Sequence, residues 1–139
     1  MKLTFPENFI FGTSTAAAQI ETAFEHDWQG IQARNGFVFD RTTDHEKRFK
    51  EDAGIIASLA PNYRMGLMWS KLQREPFGSF HPETAKEYHL FIKDLKSKGV
   101  GIMMVLHHFT NPLWFSKMGG WEKVENIPLW IDYARKVVD

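Results

Sequence analysis

The amino-acid sequence predicts an α/β protein with a parallel sheet. Strand-like apolar runs alternate with segments of helical periodicity, and the two longer runs begin at Asn62 and Gly101, about 39 residues apart. A repeat of that length leaves room for the helix that must carry the chain back before a second parallel strand can start. The second run also leads directly into the polar pair His107-His108. In α/β proteins, ligands bind at the carboxyl ends of the parallel strands, and the two histidines occupy such an end.

The N-terminal third contains a predicted strand and a long loop. Residues 5–12 are rich in Phe and end at Gly12, which predicts a short strand. Residues 13–18 have small side chains and are followed by Gln19. Small side chains either let a ligand come close or let a helix pack tightly. Residues 23–43 show no periodicity, and a loop of that length in a compact domain is usually functional or disordered.

Two helices are predicted on either side of the second strand. Asp44 is a suitable N-cap for the first helix, and Pro61 ends it. A strand is predicted for residues 62–69, and the second helix begins at Pro82 and ends at Gly99. The predicted apolar stripes are Phe49, Ala53, Ile56 and Leu59 in the first helix and Tyr88, Phe91, Ile92 and Leu95 in the second.

The last third repeats the order of strand, loop and helix. A strand is predicted for residues 101–107, and the Asn111-Pro112 turn lies beyond it, because Pro cannot donate a hydrogen bond to a sheet. A third helical pattern starts near Ile127 and runs to the end of the sequence. Its predicted stripe consists of Ile127, Trp130, Ile131, Ala134, Val137 and Val138.

The charge balance, the Cys content and the apolar runs of the sequence limit the kinds of partner and compartment that are expected. The chain has 17 basic and 17 acidic residues, so no basic surface for nucleic acid or for an acidic membrane is indicated. It contains no Cys, which excludes disulfides and thiolate metal sites and suits a reducing compartment. The N-terminus lacks the apolar core of a signal peptide, and no apolar run approaches the ~20 residues of a membrane helix. We therefore expect a cytoplasmic protein with no nucleic-acid or membrane partner.

Two architectures repeat strand–helix units in this way: a doubly wound open sheet and an eight-stranded barrel of about 250 residues. No Gly-x-Gly-x-x-Gly or Walker loop follows a predicted strand, so a nucleotide cofactor is not indicated, and we expect no cofactor. Three strands are too few for a barrel. The chain is therefore a fragment, an open fold, or a protein that covers its sheet by self-association.

Three motifs, in this order, resemble those of glycoside hydrolase family 1, the β-glucosidase and β-galactosidase type. They are Phe5-Pro6-x-x-Phe9-x-Phe11-Gly12-Thr13-Ser14-Thr15-Ala16-Ala17-Ala18-Gln19-Ile20-Glu21, then Tyr63-Arg64-Met65-Gly66-Leu67-Met68-Trp69-Ser70, then His107-His108-Phe109 with Gly119-Gly120-Trp121. The chain departs from the family pattern at Thr22, where Gly is usual, at Gly66 and Met68, where Ser is common, and at Phe109-Thr110-Asn111, where Trp-Asp-Leu is commoner.

The resemblance implies an α/β fold made of the first three βα units of a (β/α)8 TIM barrel, with residues 1–139 as the N-terminal part of one domain. It implies a retaining glycosidase of β-linked sugars that uses two Glu about 5–5.5 Å apart, one as acid/base in an Asn-Glu-Pro motif after strand four and one as nucleophile after strand seven. This sequence has no Asn-Glu-Pro motif. We therefore expect that neither catalytic Glu is present and that the isolated chain is inactive.

The resemblance also implies that three residues bind a small β-linked saccharide and that a fourth supports the nucleophile. Gln19 and His108 match residues that bind sugar hydroxyls, and Phe109 stands where many members have a sugar-contacting Trp. Arg64 matches the Arg that supports the nucleophile carboxylate, and strand alternation predicts that it shares a face with Gly66 and Met68. The plainer alternatives are a helix-capping Gln19, a core Phe109 and a solvated Arg64.

Other interpretations remain open at this point. The chain could be a non-catalytic sugar-binding protein or pseudoenzyme that keeps Gln19 and His108. A metal pair of His107 and His108 is disfavoured, because neighbouring strand residues face opposite ways. A metal hydrolase that uses His26, Asp27, His45 or His107 fits no familiar ligand spacing. Trp121 and the acids Glu21, Glu25, Asp27 and Asp40 are expected to have structural or solvated positions.

Overall fold

The computed structural model describes residues 4–139 as a three-stranded parallel sheet with helices packed on one face. The strands are β1 (Thr13–Ser14), β2 (Asn62–Gly66) and β3 (Gly101–Val105), in that order across the sheet. The helices are α1 (Ala17–Ile20), α2 (His45–Leu59), α3 (Trp69–Leu72), α4 (Pro82–Ser97), α5 (Leu113–Lys117) and α6 (Ile127–Val138), with 3-10 turns at Gly120–Glu122 and Val124–Asn126.

The two faces of the sheet differ in their cover. Tyr63 and Met65 of β2 are buried against the helices, whereas Arg64 between them is only half-buried. Arg64 is in register with Met103 of β3, whose side chain is 64% exposed. One face of the sheet therefore carries the core, and the opposite face is open in the part of the chain that the structure describes.

The core between the sheet and α2, α4 and α6 accounts for many of the aromatic residues. Trp69 is buried at its centre, where its ring stacks on Tyr133 at 4.9 Å and contacts Phe115 at the same centroid distance. Phe91 and Leu95 of α4 are likewise buried in this cluster. Part of the chain's aromatic content therefore serves to fill the core.

The predicted alternation of strands and helices is confirmed, and so is the long loop. Residues 23–43 contain neither helix nor strand, apart from isolated bridges that join His26 to Pro112 and Gln32 to Val38. The helix at Pro82 starts where predicted, and Gly99 adopts the left-handed conformation (φ +77°) that ends it.

The strand predicted for residues 5–12 is wrong. The backbone turns between Pro6 and Phe9, whose amide donates to the Pro6 carbonyl at 3.0 Å. The rings of Phe5, Phe9 and Phe11 pack on one another with centroids 4.7–5.0 Å apart, which a strand cannot arrange. The first strand follows this segment, at Thr13–Ser14.

Several boundaries also differ from the predictions. The second strand ends at Gly66 and the third at Val105, because Trp69 already begins α3 and the chain turns before His107. Asp44 does precede α2, but it has φ +56° and its carboxylate binds Arg41 in place of capping the helix.

The predicted apolar stripes are only partly correct. Leu59 of α2 is 66% exposed, although it was expected in the core. In α6 the predicted positions Ile127, Ile131 and Val138 are exposed, and Leu129 and Tyr133 are the buried residues. In α6, apolar residues recur every three to four positions on two adjacent faces of the helix. The sequence does not show which of these faces packs on the sheet.

The N-terminal segment that lacks the apolar core of a signal peptide begins with residues 1–3, which lie outside the described residues. Within residues 4–139, none of the helices has both the length and the hydrophobicity to cross a membrane.

Candidate functional site

The carboxyl ends of the three parallel strands lie along one edge of the sheet. The amide of Thr15 donates to the carbonyl of Arg64 at 3.2 Å, and the amide of Leu67 donates to that of Val105 at 3.1 Å, so the strands stay paired up to this edge. The chain leaves the edge in α1 after β1 and in the His107–Phe109 segment after β3. Side chains that are far apart in the sequence are thus brought to one place.

Gly66 lies at the centre of this edge. A Cβ placed on Gly66 would be 3.4 Å from the amide nitrogen of Ala17 and 4.0 Å from the Cβ of His108. The start of α1 and His108 therefore flank the same glycine. Ala17 and Ala18 are buried there, and Gln19 is on the exposed side of the one-turn helix. The small residues before Gln19 pack tightly, as the second alternative predicted, and Gln19 itself is exposed.

Arg64 is on the same edge. Its Nη1 donates to the Ser14 hydroxyl at 3.3 Å, and it forms no ion pair with an acid in residues 4–139. It lies near enough to His108 for its charge to lower the pKa of the imidazole. The predicted shared face with Gly66 holds, but Met68 lies beyond the strand and is buried.

The surroundings of His108 favour its neutral form. Burial lowers the pKa of His108, and the positive charge of Arg64 and the proximity of His107 lower it further. Its Nδ1 is buried and has no hydrogen-bond partner among the described residues. A neutral imidazole can donate a hydrogen bond from one nitrogen and accept one at the other.

Phe109 has an unusual backbone and two aromatic neighbours. Its φ is +65°, which is rare for an aromatic residue, and its side chain is 57% exposed. Its ring is nearly parallel to that of His108 at 4.3 Å and to that of Trp28 at 5.6 Å. Trp28 also contacts Phe39 edge-on at 5.3 Å. The loop of residues 23–43 therefore reaches the site, although the sequence did not show which of its aromatic residues would do so.

The neighbouring His107 has different surroundings from His108. Its Nε2 lies 2.9 Å from Asn111 Oδ1, which also accepts a hydrogen bond from Trp121 Nε1 at 2.8 Å. Its ring packs edge-on against Trp121 and Trp130 at 5.3 and 5.8 Å. Trp121 thus has a structural contact, as expected. Within residues 4–139, no three His, Cys, Asp or Glu residues are grouped so that they could hold a metal ion.

A buried acid lies directly behind α1. Glu21 is 4% exposed, and its carboxylate accepts hydrogen bonds from the Tyr88 hydroxyl at 2.9 Å and from Lys71 Nζ at 3.1 Å. Burial raises the pKa of Glu21, and the charge of Lys71 opposes that effect. Glu21 therefore ties the end of the helix that carries Gln19 to α3 and α4.

The fold and the site together define an α/β protein with polar and aromatic side chains at the carboxyl edge of a parallel sheet. A family model described as glycosyl hydrolase family 1 matches residues 1–139, and the chain belongs to this family. The family that the sequence motifs indicated is thereby confirmed.

The relatives are longer glycosidases. The chain is 28% identical over 145 residues to thermostable β-glucosidase B of Thermobispora bispora, in a match that covers 97% of this chain and 31% of the relative. The β-glycosidase structure from Pyrococcus horikoshii has a TM-score of 0.82 and 35% identity, over 99% of this chain and 33% of that one. The β-glucosidase of Thermotoga maritima in complex with deoxynojirimycin has a TM-score of 0.86 and 29% identity, over 94% and 33%. The chain thus spans about a third of the length of these relatives.

Proposed function

We propose that this chain is the N-terminal part of a retaining β-glycosidase and forms one side of its sugar-binding site. It supplies the first three βα units of a (β/α)8 barrel, as part of a single domain. The observation that carries the proposal is the arrangement around Gly66, where α1 with Gln19 and the segment with His108 meet beside Arg64. Membership of glycosyl hydrolase family 1 supports this proposal, and so do relatives named β-glucosidase.

Each residue of the edge has a distinct role in this proposal. The exposed amide of Gln19 donates to one sugar hydroxyl and accepts from its neighbour. Neutral His108 binds a further hydroxyl. Phe109 and Trp28 form an aromatic surface against the apolar face of a pyranose ring.

Arg64 links this binding edge to the chemistry. A guanidinium on the open face of the sheet favours a carboxylate beside it and holds that carboxylate in its charged form. In this proposal the carboxylate is the nucleophilic Glu, which the 139-residue sequence does not supply in a matching motif. The chain alone therefore binds a saccharide and does not hydrolyse it.

Calorimetric titration with glucose and cellobiose tests the binding. The chain is expected to bind one or both sugars, and Gln19→Ala is expected to weaken binding about tenfold, because a lost hydrogen bond to a ligand is worth roughly 1–1.5 kcal/mol. Gln32→Ala is the matched control, since the side-chain amide of Gln32 is exposed and donates to the Gly36 carbonyl of its own loop. Equal affinity of the Gln19 and Gln32 variants would contradict the proposed site.

Hydrolysis of a nitrophenyl β-glucoside tests the second half of the proposal. The purified chain is expected to release no nitrophenol above the buffer rate. Reading the coding sequence past codon 139 should show an open frame with a strand and an Asn-Glu-Pro motif; a stop codon at that point would overturn the assignment as part of a glycosidase. A cytoplasmic location belongs to the same proposal, and cell fractionation would test it.

A further inference from the structure

Asp27 binds a segment of the chain that lies far from it in the sequence. Its Oδ1 accepts a hydrogen bond from the backbone amide of Asn111 at 2.9 Å. Its Oδ2 accepts from Asn111 Nδ2 at 2.7 Å and from the Ser116 hydroxyl at 3.1 Å. Both oxygens of the carboxylate are thus used to hold one side chain and its backbone. Two of these three bonds fix Asn111 itself.

Asn111 passes this constraint on to the site. Its Nδ2 must donate to Asp27, since a carboxylate only accepts, so its Oδ1 faces His107 Nε2 and Trp121 Nε1. The Oδ1 atom can only accept, and His107 therefore carries its proton on Nε2. Asp27 determines through Asn111 both the orientation and the tautomer of the histidine that precedes His108.

Backbone hydrogen bonds also join the segment around Asp27 to the segment around Asn111. The Asp27 amide donates to the Asn111 carbonyl at 3.0 Å, and the Leu113 amide donates to the Glu25 carbonyl at 2.7 Å. Between His107 and Asn111 the chain makes a tight turn in which Phe109 has φ +65°. A strained backbone of this kind persists only where its surroundings hold it on both sides. The hydrogen bonds of Asn111 hold one side of this turn. Trp28, next to Asp27, stacks on Phe109 within it.

We propose that Asp27 is a positioning residue for saccharide binding. It touches no sugar, but through Asn111 it fixes the turn that presents His108 and Phe109, and it sets Trp28 against Phe109. This inference rests on the proposed function, and it adds a residue to the site that lies behind the binding edge.

An exchange of the two side chains tests the inference. In Asp27→Asn the new amide meets an N–H group of Asn111 in either orientation, and in Asn111→Asp two carboxylates face each other. The double variant D27N/N111D restores every pairing. The amide introduced at position 27 can donate to the carboxylate introduced at position 111 and to the Ser116 hydroxyl, while that carboxylate accepts from His107 and Trp121. We expect each single variant to bind cellobiose at least about tenfold more weakly and the double variant to recover to within about threefold, since coupled partners are non-additive.

Controls separate positioning from folding. Asp40→Asn, which changes an exposed acid of the same loop, should bind like the wild type. Thermal unfolding is measured for all variants, and binding is titrated at a temperature where each is folded. Single variants that bind cellobiose as the wild type does would overturn the inference, and so would a double variant that recovers stability without affinity. If D27N does not fold, N111D and the double variant still decide the result.

Imidazole nitrogen spectra give a readout that does not depend on sugar. In the wild type and in the double variant, His107 should appear as the tautomer with its proton on Nε2, and in N111D or D27N that signal should shift or broaden. An unchanged His107 signal in both single variants would overturn the positioning role. If the wild type binds no sugar while the His107 signal responds as expected, the proposed function fails and the Asp27–Asn111 constraint stands.

Discussion

Tyr88 and Glu21 meet inside the protein, 67 residues apart in the sequence, with the tyrosine hydroxyl 2.9 Å from each carboxylate oxygen. The same hydroxyl accepts a hydrogen bond from the Met68 amide at 3.0 Å. Lys71 adds a charged contact to Glu21 at 3.1 Å. One buried acid thereby joins the end of α1 to α3 and α4, directly behind the edge that carries Gln19.

Glu21 should make stability depend on pH in a distinctive direction. Burial raises the pKa of Glu21 above its ordinary value of 4.5, despite the opposing charge of Lys71. The folded protein therefore keeps a proton that the unfolded chain releases, and the free energy of unfolding falls as pH rises from about 4.5 through the folded pKa. We expect Glu21→Gln to lack this contribution. Urea unfolding of both proteins across this range measures it, and parallel stability curves would contradict the assignment.

Removal of the Tyr88 hydroxyl should destabilise the protein. In Tyr88→Phe, Glu21 loses a donor and the buried Met68 amide loses its acceptor, so the free energy of unfolding should fall by about 1–3 kcal/mol. Tyr133→Phe is the matched control, because within residues 4–139 the Tyr133 hydroxyl makes one hydrogen bond, to the Leu106 carbonyl at 3.0 Å. Urea unfolding should show the larger loss for Tyr88, and a larger loss for Tyr133 would count against the buried network.

His26 should make the protein sensitive to mild acid. Its buried Nδ1 accepts a hydrogen bond from the Trp28 amide at 3.1 Å. Burial lowers the pKa of His26 below 6.5 although Asp27 opposes that shift, while Lys71 lowers it further. The unfolded chain thus binds a proton that the folded protein resists, and stability is lost as pH falls from 6.5 towards the folded pKa.

The variant His26→Asn isolates this effect. An Asn side chain can still accept from an amide two residues ahead, but it does not titrate. We expect its free energy of unfolding to fall less than that of the wild type as the pH is lowered from neutral through about 6.5. A remaining slope is expected, because the pKa of His108 is lowered as well. Identical slopes in both proteins would show that His26 does not contribute.

Periodicity predicted the elements that pack on the sheet, but not the contacts between loops. The helices that begin at His45, Pro82 and Ile127 follow from apolar spacing and Pro positions, which are local signals. The bond between Asp27 and Asn111 spans 84 residues, and no local pattern shows which loop residues will meet. Nor does sequence composition show that Phe109 takes a left-handed backbone, since that conformation depends on the surrounding contacts.

The residues at the carboxyl edge were predicted by another route. Gln19, Arg64, His108 and Phe109 were selected through resemblance to a family, and the structure brings α1, Arg64 and His108 around Gly66. The strand at residues 5–12 was mispredicted because a Phe-rich sequence is not specific to strands. Here the Phe rings pack on one another in a segment that turns. Family motifs identify candidate residues, whereas the surrounding contacts decide how they are held.

Two glycines at opposite ends of the sheet should respond differently to a methyl group. A Cβ on Gly12 would lie 2.9 Å from the Asn62 carbonyl oxygen, and this backbone cannot move without disturbing β2, so Gly12→Ala should cost about 1–3 kcal/mol. A Cβ on Gly66 would meet Ala17 and His108 at 3.4–4.0 Å, which is ordinary contact. Gly66→Ala should change stability by less than about 1 kcal/mol, since the lower entropy of the unfolded chain offsets small strain. Urea unfolding of both variants measures this difference. An equal loss of stability for both variants would mean that a methyl group at position 66 does not fit between α1 and His108. That result would count against a sugar-binding edge built around Gly66.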